Sequence, residues 1–197
     1  MEKKIEQTST KTKKKNRCLK LNKIVQSKQL VLDSILEVFE KNKVQPMLAL
    51  IGTYLNSTNK SAFSKRVGIS RATLYDMLSG NKNPTVRVFA HCVYEMLIDL
   101  GMKKPQKNLK AKPSLTPEKI IKSKKLILEA VVDVFKKNTI PPIIEVIRAY
   151  LQSKNKSLFA KNVGISRATL YDMLNGKKNP TLWVFMQCIR VMIDKKE

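Results

Sequence analysis

The stretch VGISRATLYDML occurs twice in this chain, at Val67–Leu78 and at Val163–Leu174, and the two copies are identical at every position. The surrounding sequence repeats in register, at an offset of 96 residues without a gap, from Lys23 through Asp99 of the first copy. Most of that surrounding sequence has diverged. A recent duplication alone explains less well why one short stretch, with its exposed residues, stayed unchanged.

Each copy begins with residues that predict two amphipathic helices. Leu32, Ile35, Leu36 and Phe39 follow the i, i+3, i+4, i+7 spacing of one helix face. Their counterparts in the second copy are Leu128, Val131, Val132 and Phe135. A second helix is expected after Pro46, and after Pro142 in the second copy, since proline is tolerated in the first turn.

The quoted stretch itself predicts two short helices joined by a glycine turn. The first is expected from Lys60 to about Val67, and the second over Arg71–Ser79. Gly68 suits the turn because glycine adopts positive φ at little cost. Ser70 is a plausible N-cap, and Gly80 suits the left-handed residue that ends the second helix. The residues expected to face inward are Phe63, Val67, Ile69, Leu74 and Met77.

A last helix is expected after Asn83-Pro84-Thr85, with Phe89, Cys92, Val93 and Met96 on its apolar face. Cys92 and Cys188 are therefore expected to pack in the core. Three scattered cysteines do not suit a disulfide framework or a zinc site. Trp183 replaces Arg87, and core packing is the favoured interpretation, with a contact between copies or with a partner as the alternative. His91 is Gln187 in the second copy and receives no role.

Charge sets the expected partner. The chain has 39 Lys and Arg against 15 Asp and Glu, a net charge of +24. Such an excess favours a polyanion, with nucleic acid first and an anionic membrane surface second. No apolar run approaches a membrane span, and the basic N-terminus lacks the apolar segment of a secretory signal. A cytoplasmic, nucleoid-associated location with no membrane partner is the expectation.

Composition divides the chain into four parts. Residues 1–22 are expected to form a disordered basic arm, either solvated or reaching DNA. Residues 23–99 and 117–197 are the two repeated domains. Residues 100–116, which are rich in Lys and Pro, are read as a linker. Both a two-fold and a head-to-tail placement of the domains lie within the reach of this linker.

The run from Ala160, A-x-x-V-G-I-S-R-A-x-L-Y-x-x-L-x-G-x-x-N-P-T, resembles the lambda-repressor-like (Xre-type) helix-turn-helix. More narrowly, the pattern is similar to the antidote proteins of addiction modules, which are DNA-binding autorepressors. The resemblance implies an all-α chain of two tandem lambda-repressor-like domains, with about five helices each. The chain departs from the family at Ser64, where Ala is usual, and at Asp76 and Asp172, where antidotes often carry Lys.

The resemblance and the helix geometry together assign DNA contacts on the second helix of each motif. Arg71 and Arg167 are assigned to guanine, and Ala72 and Ala168 to a thymine methyl. The other assigned residues on this helix are Ser70, Tyr75, Asp76, Ser166, Tyr171 and Asp172. Ser70 and Ser166 are interpreted chiefly as helix caps. Tyrosine is read as a phosphate or sugar contact, or as cover for the core edge. Aspartate is read as an acceptor from cytosine or a group that repels phosphate.

Two further groups are assigned to the DNA backbone. Helix N-termini attract phosphate, which points to the start of the preceding helix in each copy. The residues there are Lys60, Ser61, Lys156 and Ser157. The loop after the reading helix is expected to position the backbone. Its residues are Asn81, Lys82, Asn83, Lys177, Lys178 and Asn179.

The favoured function is a sequence-specific double-stranded DNA-binding transcription regulator, with repression the expected sign. Its two reading helices would act as a covalent pseudo-dimer on paired half-sites. One alternative is an antitoxin-like protein that binds a toxin and autoregulates, and another is a nucleoid-type protein that coats DNA without specificity. A single His and no nucleophile or phosphate-loop setting argue against an enzyme, a metal site or a cofactor. Further homodimerisation is left open.

Overall fold

The computed structural model describes residues 27–41, 43–104 and 116–194, and within them the chain is all-helical, as predicted. The helices of the first half are α1 (Lys28–Lys41), α2 (Val44–Leu55), α3 (Lys60–Val67), α4 (Arg71–Ser79) and α5 (Val86–Asp99). Those of the second half are α6 (Pro117–Ile120), α7 (Lys124–Lys137), α8 (Pro141–Tyr150), α9 (Lys156–Val163), α10 (Arg167–Leu174) and α11 (Leu182–Asp194).

The long helices form because each has one apolar stripe to bury. On α1 the buried residues recur at helical spacing, and Ile35 is fully buried between Leu32 and Phe39. α2 begins at Val44, two residues before the predicted start, so Pro46 is its third residue. Proline fits there because the first backbone N–H groups of a helix have no acceptor within it. In the second half α8 begins at Pro141, one residue before the second proline.

The two short helices of each half lie on the long ones. α3 packs on α5, and α4 packs on α2 and α3. The second half repeats these contacts, with α9 on α11 and α10 on α8 and α9. Phe63, Leu74 and Met77 are buried as predicted, while Ile69 is half-buried. The buried apolar stripe of each short helix therefore orients its other side toward solvent.

The core crosses from one half to the other. α5 packs on α7, α11 packs on α1, and α1 and α7 also touch. Four buried phenylalanines meet there, and they are the repeat-related pairs Phe39 with Phe135 and Phe89 with Phe185. The Phe39 and Phe135 ring centroids lie 5.9 Å apart. Phe39 meets Phe185 edge-on at 5.7 Å, and Phe89 meets Phe135 in the same way at 5.7 Å.

Two backbone hydrogen bonds between the halves also join repeat-related residues in matching pairs. The amide of Val86 donates to the carbonyl of Pro180 at 2.9 Å, and the amide of Leu182 donates to the carbonyl of Pro84 at 2.7 Å. Between them Thr85 and Thr181 form an isolated antiparallel bridge. Every contact in this set is therefore matched by the contact between the equivalent residues of the other copy.

An ion-pair network is specific to the first half. Arg66 on α3 pairs with Glu95 at 2.8 Å and with Asp99 at 2.6 Å, both on α5. The hydroxyl of Tyr54 donates to Asp99. Burial is the main cause that raises the pKa of Tyr54 to about 12, and this hydrogen bond is the second. The second half has Asn162 where the first has Arg66, and its α9 packs on α11 without this arginine.

The boundary between the halves differs from the predicted linker. Leu100 caps α5, and the amide of Met102 donates to Leu97 at 2.9 Å, so both side chains pack partly against the core. The second half also opens with α6, a helical turn that the sequence did not predict and that packs on α7 and α8. The rest of the predicted linker, at 105–115, and the predicted arm at 1–22 lie outside the described residues.

Two cysteine predictions can be checked. Cys92 on α5 and Cys188 on α11 are fully buried, as predicted, and burial raises the pKa of each thiol to about 12. A thiol with so high a pKa is unreactive at neutral pH. Trp183 is different: it is 41 % exposed, so the expectation of core packing is wrong. Its neighbours Leu182 and Phe185 take the buried positions of α11.

We expect Phe39→Ala to lower the free energy of unfolding of the whole chain by about 3–5 kcal/mol, because it opens a cavity in a core that both halves build. Trp183 is the single tryptophan and reports on the second half. Urea unfolding is followed by Trp183 fluorescence and by circular dichroism. Both probes should show one transition, and the substitution should lower its urea midpoint by the same amount in each. Leu30→Ala, at an exposed apolar residue of α1, is the control. A fluorescence transition that stays in place would contradict a shared core.

Candidate nucleic-acid interface

The turn between the two short helices has the same geometry in both copies. Gly68 ends α3 with φ +76°, and Gly164 ends α9 with φ +79°. The next amide reaches back over the turn, from Ile69 to the carbonyl of Ser64 at 3.0 Å and from Ile165 to that of Ala160 at 3.0 Å. This left-handed termination turns the chain sharply into the next helix. Ser64, which departs from the usual Ala, is buried and donates its hydroxyl to Ser61 at 3.1 Å.

A serine begins each second helix. The hydroxyl of Ser70 accepts from the amide of Thr73 at 3.0 Å, and that of Ser166 accepts from Thr169 at 3.0 Å. These hydroxyls satisfy backbone amides that otherwise lack an acceptor, so the prediction of a capping role is confirmed. In both copies the arginine and alanine that follow are exposed: Arg71, Ala72, Arg167 and Ala168.

The tyrosines one turn further on differ between the copies. Tyr75 is 46 % exposed, whereas Tyr171 is half-buried under two cations. Arg167 donates to the Tyr171 hydroxyl at 3.3 Å, and its guanidinium lies 5.5 Å from the ring centroid. Lys156 at the start of α9 lies 5.9 Å from the same ring. The hydrogen bond from Arg167, aided by both positive charges, lowers the pKa of Tyr171.

This cluster joins two predicted regions of the second copy. Lys156 was assigned to the phosphate backbone, and Arg167 and Tyr171 to the reading helix, and the structure brings all three together. Cation–π contacts of this kind orient a long flexible side chain. Among the described residues of the first copy, the structure shows no matching ring contact between Arg71 and Tyr75.

Asp76 and Asp172 accept hydrogen bonds from the loop that follows each helix. The backbone carbonyl of Asp76 accepts from Lys82 at 3.1 Å, and that of Asp172 accepts from Lys177 at 2.9 Å. In the second copy Lys178 also pairs with the Asp172 carboxylate at 3.3 Å. The sequence interpretation missed this partner, although an acidic and a basic residue six positions apart across a helix end suggest it.

The helix starts assigned to phosphate are already capped. The side-chain oxygen of Asn59 accepts from the amides of Ser61 and Ala62, at 3.0 Å each. Asn155 does the same for Ser157 at 2.9 Å and Leu158 at 3.0 Å. The amides of Ser61 and Ser157 therefore already have an acceptor, an asparagine that sequence reasoning overlooked, and the assignment of these helix starts to phosphate stays a prediction. Lys60 and Lys156 remain at these helix starts as cationic side chains, half-buried and exposed respectively.

The remaining assigned residues lie in the loop after each reading helix. All six are exposed: Asn81, Lys82, Asn83, Lys177, Lys178 and Asn179. The buried prolines that follow, Pro84 and Pro180, belong to the bridge between the halves. The loops thus connect α4 and α10 directly to the contact between the two copies.

A protein-family model described as helix-turn-helix matches part of this surface. Residues 147–191 match it. The match covers the end of α8, all of α9 and α10, and most of α11. Neither the curated proteins nor the solved structures contain a match to the chain. The second helix of the matched helix-turn-helix is α10.

Two further findings bear on the chemistry of the helix-turn-helix. No group of three or more His, Cys, Asp or Glu in the described ranges could hold a metal ion. Within those ranges no helix combines the length and the apolar character that a membrane crossing requires. The exposed side chains of α10 and its loop include a guanidinium, ammonium groups, amides and a methyl group, which suit phosphates and base edges.

We expect Ser166→Ala to lower the free energy of unfolding by about 1 kcal/mol, because the amide of Thr169 loses its acceptor. Ser157→Ala is the matched control, since only the backbone amide of Ser157 takes part in the cap of its helix. Urea denaturation of the two variants measures the difference. Equal stabilities would show that the hydroxyl of Ser166 does not support α10.

The two turn glycines provide a second comparison. Gly68→Ala should lower the free energy of unfolding by about 1–2 kcal/mol, the usual cost of a left-handed L-residue, since its new methyl meets no atom within 4 Å. Gly164→Ala should cost more, because its methyl would lie 3.3 Å from Cη2 of Trp183. The excess should vanish in the Trp183→Arg background, which carries the residue of the first copy. An excess that persists there would exclude Trp183 as its cause.

Proposed function

We propose that this protein is a sequence-specific double-stranded DNA-binding transcription regulator, with repression the expected mode. Both copies of the repeat would act as lambda-repressor-like helix-turn-helix domains, and α4 and α10 would read DNA as a covalent pseudo-dimer on paired half-sites. The observation that carries the proposal is that α4 and α10 share the same sequence, including their exposed residues. α10 lies within the helix-turn-helix match.

The exposed reading residues support direct base readout. Arg71 and Arg167 extend from the first turn of their helices, where recognition helices contact bases. Guanine offers O6 and N7 to the two parallel donors of a guanidinium. Ala72 and Ala168 beside them present methyl groups that fit thymine. Identical side chains at both places would read the same short sequence twice.

The surrounding cations support backbone binding. Lys60 and Lys156 at the preceding helix starts, and Lys82, Lys177 and Lys178 in the loops, flank the reading helices on both sides. Contacts of this kind set the register of a protein on the duplex and carry no sequence information themselves. The net charge of +24 would add long-range attraction and a location on the nucleoid.

The charge also favours a second candidate, a nucleoid-type protein that coats DNA without sequence preference. Binding through phosphates alone releases counterions and weakens steeply with salt, whatever the sequence. The same experiment separates the two functions. The toxin-binding alternative needs a separate test, capture of a partner protein by the purified chain, because an autoregulating antitoxin would also select a DNA motif.

The test is selection of bound duplexes from a random pool with the full chain, at ~150 mM salt, where screening acts beyond about 8 Å. Recovery of a motif that contains two similar half-sites supports the regulator. Enrichment of no motif, with binding that disappears as salt rises, contradicts it and favours the nucleoid-type protein.

We expect Arg71→Ala and Arg167→Ala each to weaken binding to the selected site by about 1–3 kcal/mol and to relax base preference in one half-site. The double variant should lose preference in both. Arg190→Ala removes the same charge from α11, where Arg190 pairs with Asp194 at 3.2 Å, and serves as the control. Equal losses on selected and scrambled duplexes would assign both arginines to phosphates instead of bases.

A further inference from the structure

The contacts between the halves decide a property of the DNA target that the repeat leaves open. In a head-to-tail arrangement, one surface of the first copy would meet a different surface of the second. In a two-fold arrangement, the same surface meets itself, so residue i contacts residue j and the equivalent of j contacts the equivalent of i. The two arrangements therefore differ in which residues touch.

The bridge has the two-fold pattern. Val86 donates to Pro180 at 2.9 Å, and its equivalent Leu182 donates to Pro84, the equivalent of Pro180, at 2.7 Å. Thr85 pairs with its own equivalent Thr181. A residue can meet its own counterpart in this way only on the axis that relates the two copies. The bridge thus marks the position of that axis.

The aromatic core has the same pattern, and it makes the arrangement rigid. Phe39 meets its own equivalent Phe135 at 5.9 Å, and the two cross pairs of rings are both edge-on at 5.7 Å. All four rings are at most 2 % exposed and belong to one buried cluster that extends through both halves. Separating the halves would expose these rings to water, so the linker does not set the relative orientation.

The reading helices lie close to this axis. α4 ends at Ser79, five residues before Pro84, and α10 ends at Leu174, six residues before Pro180. At about 3.3–3.6 Å per residue, each helix end lies within roughly 20 Å of the bridge. That reach accommodates two reading helices roughly 34 Å apart, which is one turn of B-DNA.

We infer that a single chain reads an inverted repeat, with one copy of the half-site on each side of an internal two-fold axis and one permitted spacing between them. The inference rests on the proposed function and adds the orientation, the spacing rule and the stoichiometry. A second chain is unnecessary because the axis that a homodimer would supply lies within the chain. Identical reading residues make the two half-sites alike.

The test uses the half-site recovered by the selection, placed in duplexes as inverted, everted and direct repeats, with spacings varied by single base pairs. Each base pair rotates the far half-site by roughly 35° about the DNA axis. Fluorescence anisotropy with the full chain measures affinity, and native mass spectrometry measures stoichiometry. We expect one inverted-repeat spacing to bind best, with one chain per duplex. A change of two base pairs should weaken binding at least ~10-fold, because the second half-site is then rotated by roughly 70° and no longer lines up with its reading helix.

Three results would overturn the inference and leave the proposed function standing. They are a direct repeat that binds as well as the inverted one, an affinity that does not depend on spacing, and two chains on one inverted repeat. Binding that does not distinguish any of these duplexes from scrambled DNA would overturn the proposed function and the inference with it.

A disulfide across the axis provides a second measurement that does not depend on spacing. Facing residues of an antiparallel bridge of this type have Cα atoms about 4.5 Å apart, within the range of a disulfide. Thr85→Cys with Thr181→Cys should therefore cross-link within one chain on oxidation. The oxidised form should bind the inverted repeat within about twofold of the reduced form of the same variant, because locking preserves the bound arrangement. Failure to cross-link, or a loss of at least ~10-fold on locking, would overturn the inference.

Discussion

Ring contacts among four buried phenylalanines join the two halves of the chain. Phe39, Phe89, Phe135 and Phe185 lie on α1, α5, α7 and α11 in that order, and each ring is buried against a ring of the other copy. The ring contacts that the structure shows among these four residues all cross from one half to the other. The apolar area removed from water at this contact makes one core from two similar sequences, and the short helices are mounted on that core.

The two copies preserve one surface and change what supports it. The turn, the serine cap and the exposed residues of α4 and α10 are the same. Behind them, Arg66 holds α3 to α5 through two ion pairs in the first half, whereas the second half has Asn162 there and places Trp183 against Gly164. The two copies therefore carry the same turn and cap beside different neighbouring contacts.

Local features were predictable from the residues alone because they depend on neighbours in the chain. The bounds of α3 and α4, the left-handed Gly68 and the capping role of Ser70 all follow from turn and cap chemistry that spans a few positions. The same logic would have identified Asn59 and Asn155 as caps, since each precedes a helix start. Contacts that need a tertiary partner were missed or misjudged, as with Trp183, whose exposure depends on which face of α11 the core covers.

An all-helical chain, a repeated pair of short helices joined by a glycine turn, and the residues that two of these helices share were all predictable from the amino-acid sequence. Helical spacing, glycine turns and caps act over a few residues, so they can be read without knowing the fold. The way in which the two copies face each other depends on contacts between residues far apart in the chain, so it became visible only in the folded structure. The sequence does not show whether a phenylalanine packs within its own copy or against the other copy. The hydrophobic effect is non-directional, so any apolar surface can bury the ring. The reciprocal ring pairs and the bridge at Thr85 and Thr181 resolve that choice in favour of a two-fold arrangement.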